Sequence, residues 1–76
     1  MGRKDGKVPA TYRELIAVAV AHTTQCPTSI EVHSKAAKKA GASKAEPAEA
    51  IFVAAAIRSS GAATHGSMAL RFYDEA

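Results

Sequence analysis

Apolar and polar positions fall along this chain in blocks that predict four helices and no strands. Thr11 followed by Glu14 reads as a capping box, the hydroxyl and the carboxylate each satisfying a free amide at a helix start. A first helix is therefore expected from about Tyr12 to about Thr24, with Leu15, Ile16, Val18, Ala19 and Val20 as its apolar belt. The polar run His22-Thr23-Thr24-Gln25 closes it. Cys26-Pro27 then restarts the chain, because proline suits the first helical position, where its missing N–H would be unpaired anyway. The second helix is expected from about Pro27 to about Ala40, with Lys35, Lys38 and Lys39 in the half where cations complement the dipole. Gly41 is its expected left-handed stop.

Ser43-Lys44-Ala45-Glu46 announces a third helix through a second capping box, and Pro47 falls in its tolerant first turn. From Glu49 to Ile57 this helix is apolar on nearly every side, which predicts burial on every side, much of it by neighbouring subunits. Ser59-Ser60-Gly61 reads as a break, and Ala62 to Phe72 as a shorter fourth helix with Met68 and Leu70 or Phe72 turned inward. Residues 1–9 read as a flexible basic leader and residues 10–76 as one helical domain.

Composition sharpens this picture. Of 76 residues, 47% are hydrophobic, and 18 of them are alanine, a strong helix former that adds little buried area. The core of such a chain is thin, so a homo-oligomer is expected. The lone Cys26 excludes a disulfide-stapled module and fits a reducing compartment. No targeting segment opens the sequence and no membrane span is readable, so a cytoplasmic location is expected. The net charge of +3 comes with only four aromatic residues, none interleaved with the lysines, so no nucleic-acid interface is expected.

The chemistry gathers at the start of the second helix. Cys26 lies where free amides and the dipole stabilise an anion, which lowers a thiol pKa. Ser29 lies one turn on and His33 a further turn, so thiol, hydroxyl and imidazole share one face. In an antiparallel hairpin turning near Gln25, Glu14 comes level with residues 33–36. It would stand on the order of 15 Å from Cys26 along the axis, and would have to act through His33 or a water. His22, Cys26 and His33 match no standard zinc spacing, and no glycine-rich phosphate loop or flavin-binding pattern is present, so no metal and no cofactor is expected. His65 is placed near a subunit interface.

Glu14, eleven residues, Cys26, two residues, Ser29, three residues, His33: this register resembles the E-x11-C-x2-C-x3-H signature of the AhpD-like alkylhydroperoxidase family, within the carboxymuconolactone decarboxylase superfamily. Lys39 to Ser43, Glu49 to Ala56 and Gly61 to His65 also resemble the family core, so the likeness covers about residues 10–72. The resemblance implies an all-α fold assembled as trimers or hexamers. It implies a redox-active cysteine pair that reduces hydroperoxides, a thiol protein or small dithiol as reductant, and Glu14 and His33 as the proton relay. Cys26 matches the first cysteine, usually the resolving one. Ser29 stands at the second, attacking position, and a serine hydroxyl is not oxidised by peroxide. Native or replaced, Ser29 prevents an intrachain disulfide. Two other functions stay open: a decarboxylase-like non-redox enzyme using His33 as acid or base, and a non-catalytic oligomeric scaffold.

Overall fold

The computed structural model describes residues 6–76 and places three helices there: α1 over Ala10–Thr24, α2 over Pro27–Lys39 and α3 over Ala45–Glu75. The fold is all-α, with no strand among the described residues. The first five residues of the expected leader lie outside the described residues, and Gly6 to Pro9 are exposed.

The turn from α1 to α2 is made by Gln25, whose φ of 56° and ψ of 50° put a non-glycine residue in the left-handed region. That dihedral lets the Cys26 amide reach back to the Ala21 carbonyl at 3.0 Å, satisfying an acceptor that the end of α1 leaves open. Pro27 opens α2 as its first residue, as its missing donor favours. At the far end Gly41, with φ +104°, supplies the expected left-handed stop. Its amide donates to the Lys38 carbonyl and the Ala42 amide to the Ala37 carbonyl, both at 3.0 Å, the paired bonds of a Schellman ending.

The two expected capping boxes fare differently. At Ser43 the carboxylate half forms: the Ser43 amide donates to Glu46 Oε1 at 2.8 Å, and the Ser43 hydroxyl donates to the same oxygen at 3.3 Å. At Thr11 no box forms, because the helix begins earlier, with Pro9 preceding Ala10. The Thr11 hydroxyl instead donates to the Ala40 carbonyl at 2.8 Å, tying the start of α1 to the end of α2, while Glu14 turns to α2.

The expected break at Ser59-Ser60-Gly61 is absent, and the third and fourth predicted helices are one helix of 31 residues. Serine and glycine lower helix propensity by only about 0.5–1 kcal/mol each, and Gly61 keeps a helical rather than a left-handed φ, so nothing there forces a stop. The inward placement of Met68, Leu70 and Phe72 is likewise corrected, since they are 42%, 68% and 54% exposed. The all-round burial expected of Glu49 to Ile57 is confined in this single chain to Ala54, with Ala50 half-buried.

The core lies where α1 meets the other two helices. Among the described residues Val18, Ala21, Ala37 and Ala54 are its buried apolar members, and Val18 is the one large side chain wholly enclosed. Such a core is small because alanine contributes one methyl group per position. Glu14 is buried beside it, which makes the site and the core neighbours.

Candidate functional site

α1 and α2 form the antiparallel hairpin that carries all four sequence-identified residues. Glu14 faces α2 from the first half of α1, and its Oε1 accepts a hydrogen bond from His33 Nδ1 at 2.7 Å. Both side chains are largely covered, 10% exposed for Glu14 and 15% for His33. An ionised carboxylate only accepts, so the ring nitrogen that faces it carries the proton. His33 Nε2 is then the ring nitrogen left to exchange a proton with water or substrate.

Cys26 is the N-cap residue of α2, part-buried, with an extended backbone at φ −104° and ψ 101°. Its thiol pKa is lowered, first by the Ser29 hydroxyl and then by the Ser29 amide. Partial burial opposes this, and the Thr28 amide adds a smaller lowering. These influences stop short of a closed cap, for no hydrogen bond of full geometry joins the sulfur to the first amides of α2. The thiol therefore sits at a donor-rich helix start without being consumed as a cap.

The structure brings the four residues together as two pairs, Glu14 with His33 and Cys26 with Ser29. No hydrogen bond links the pairs among the described residues. Cys26 and His33 are separated by about two turns of α2, on the order of 10 Å along the axis. A proton passing between them needs an intervening water or a substrate group.

The remaining histidines stand apart from this strip. His22 Nδ1 donates to the Val18 carbonyl at 2.8 Å within α1, a local helical tie. His65 is exposed on the second half of α3. No group of three His, Cys, Asp or Glu side chains suited to a metal ion occurs among the described residues. An open depression of about 270 Å³ lies between α1 and α3, lined by Leu15, Glu46, Glu49, Ala50 and Val53, away from the thiol. No helix of the described residues is long and apolar enough to cross a membrane.

Sequence reasoning missed two polar groups of the hairpin. Thr11, read as a cap, is a cross-hairpin donor, and the signal for this would have been the level of Ala40 opposite it. Arg13, next to Glu14, has Nε and one terminal nitrogen buried with no hydrogen-bond partner among the described residues, and nothing in the local pattern marked it.

Residues 1–71 match the family model described as the carboxymuconolactone decarboxylase family. The chain is 48% identical over 71 residues to a protein of Paracoccus denitrificans described as "Uncharacterized protein 4 in cox locus". That match covers 93% of this chain and 64% of the relative, so the chain spans about two-thirds of the relative's length at most. No solved structure matches the chain.

Proposed function

The chain belongs to the carboxymuconolactone decarboxylase family, and from that premise we propose that it is an AhpD-like thiol oxidoreductase that reduces hydroperoxides through Cys26 alone. The observation that carries this reading is the placement of Cys26 at the start of α2, with the Ser29 hydroxyl and the helix amides lowering its pKa. A thiolate is the form that attacks peroxide, and a donor-rich helix start favours it.

In the proposed step the Cys26 thiolate attacks the terminal oxygen of a hydroperoxide and the O–O bond breaks. The sulfur becomes a sulfenic acid, and the leaving alkoxide takes a proton to become an alcohol. His33, held by Glu14, takes up the proton that the Cys26 thiol loses and returns it to the alkoxide, both through a water. Ser29 has no sulfur, so no second thiol of this motif can condense with the sulfenic acid. An external thiol must do so, releasing water and forming a mixed disulfide. A second external thiol then frees Cys26 and leaves as an oxidised disulfide. Such a cycle needs a reducing compartment, which makes the cytoplasm its natural setting, and a homo-oligomer would shield the sulfenic acid from water.

The test is hydroperoxide consumption by the full chain with a dithiol reductant. The parent should turn over slowly, Ser29→Cys should gain at least tenfold by restoring an intrachain resolving pair, and Cys26→Ala should be inactive. Hydroperoxide turnover that survives Cys26→Ala, or no turnover in either the parent or Ser29→Cys, would overturn the redox assignment. The buried Glu14–His33 pair favours one second reading, a non-redox enzyme of the decarboxylase kind with His33 as general acid or base. That reading predicts activity that survives Cys26→Ala and is lost in His33→Ala.

A further inference from the structure

Three polar bonds join one face of α2 to α1, and they recur at every second turn. The Cys26 amide donates to the Ala21 carbonyl at 3.0 Å, His33 Nδ1 donates to Glu14 Oε1 at 2.7 Å, and the Thr11 hydroxyl donates to the Ala40 carbonyl at 2.8 Å. Cys26, His33 and Ala40 follow one another at intervals of seven residues. Seven residues make almost two full turns, so the three lie on one strip of the helix. Along that strip Ala37 is buried and Ile30 half-buried, which marks it as the face that α2 lays on α1.

The three bonds differ in what they depend on. The one at Cys26 joins backbone to backbone at the turn itself, and the one at His33 belongs to the site. Thr11 supplies the remaining bond, outside the site and from a side chain. Its acceptor, Ala40, is the residue that ends α2, where a carbonyl has no amide of the same helix to receive. The amides of Gly41 and Ala42 turn to Lys38 and Ala37 instead, and the Thr11 hydroxyl is what reaches Ala40.

With its start fixed at the turn, α2 keeps one freedom, a swing about Cys26. At about 1.5 Å per residue, His33 stands about 10 Å from that pivot and Ala40 about 21 Å. An outward swing that moves Ala40 by about 1 Å thus moves His33 by about 0.5 Å. The bond from His33 to Glu14 would then leave the range of about 2.7–2.9 Å in which a charge-assisted bond is strong. A displacement of about 0.5 Å is also the limit within which a working site has to be held.

We propose that Thr11 is a positioning residue of the site: by holding Ala40, its hydroxyl keeps His33 at bonding distance from Glu14 and the ring proton on Nδ1. Thr11 makes no hydrogen bond to either member of the pair and acts through the backbone of α2. The inference rests on the reading of Glu14 and His33 as the proton-handling pair, which the thiol and the non-redox readings share. Without the bond at Ala40 the ring exchanges between its two tautomers, and Nε2 no longer presents one state to water or substrate.

The experiment compares Thr11→Val, Thr11→Ala and Thr11→Ser with the parent by nitrogen NMR of the His33 ring, with no substrate present. In the parent the neutral ring should be a single tautomer, protonated on Nδ1. Thr11→Val and Thr11→Ala should show a mixture of tautomers, while amide exchange protection at Val18 and Ala37 stays that of the parent. Thr11→Ser keeps the hydroxyl and should restore the single tautomer. In hydroperoxide turnover, kcat should fall about tenfold in Thr11→Val with KM little changed, and Thr11→Ser should recover it. A Thr11→Val ring that stays one tautomer, or a Thr11→Ser ring as mixed as that of Thr11→Val, would overturn the proposal. So would loss of protection at Val18 and Ala37 in both Thr11→Val and Thr11→Ala, since the bond would then hold the fold and not the ring. A parent that holds the tautomer but consumes no hydroperoxide would count against the thiol chemistry alone.

Discussion

α2 and α3 both lie against α1, but they are held by different means. α2 is fixed by directional polar bonds at its middle and at its C-terminal end: His33 donates to Glu14, and Thr11 donates to the Ala40 carbonyl. α3 packs on α1 about as extensively as α2 does, but through apolar contact around Ala54, with one side-chain bond, from Arg58 to the Thr23 carbonyl. Hydrogen bonds to buried charges are worth more than exposed neutral ones and are costly to leave half made. The hairpin therefore has a unique register, and that register is what aligns Glu14 with His33. α3 is held by packing more than by directional bonds, so its register is set by shape.

This contrast can be broken at its strongest point by Glu14→Ala. The change leaves the part-buried His33 ring without its acceptor, and urea unfolding should show a loss of about 2–3 kcal/mol. Glu14→Gln keeps an acceptor and should recover part of that loss. Equal destabilisation by both variants would mean that the charge, and not the bond, sets the register. A smaller effect is expected for Arg58→Ala, about 0.5–1 kcal/mol, since its bond to the Thr23 carbonyl is exposed. Hydrogen exchange in that variant should quicken along residues 45–58 and leave α2 unchanged.

The smallest energetic effect is expected at the thiol, where the readout is pH. Ser29→Ala removes the largest influence that lowers the Cys26 pKa, so the midpoint of its alkylation rate should move upward toward the ordinary thiol value. An unmoved midpoint would assign the lowering to the amides of α2. The lowered pKa also fixes a sign for stability. The thiolate's contribution is fully present above the ordinary thiol pKa and is lost as pH falls through the lowered folded value.

How much of this was legible in the sequence depends on the kind of signal. The start of α2 was readable because Pro27 tolerates few other positions, and its end because only a glycine such as Gly41 adopts φ +104° without strain. The level of Glu14 against His33 followed from counting residues on either side of the Gln25 turn. The role of Thr11 was not readable, since a hydroxyl near a helix start suits a cap as well as a partner across the hairpin, and tertiary proximity decides. The continuity of α3 through Ser59-Ser60-Gly61 was hidden for a related reason. Weak propensity marks where a helix can end but does not end it, and no proline or positive φ enforces a stop there.

Gln25 holds a dihedral that most side chains avoid, at a cost of about 1 kcal/mol relative to glycine. Glycine there would relieve that strain and, by loosening the unfolded chain, give back a similar amount. The two effects nearly cancel, so position 25 is open to drift among residues that tolerate the left-handed region. The angle itself is not open to drift, because it delivers the Cys26 amide to Ala21 and the thiol to the mouth of α2. What descent must preserve at this corner is a torsion rather than an amino acid, and a search for kin by letter alone would pass over it.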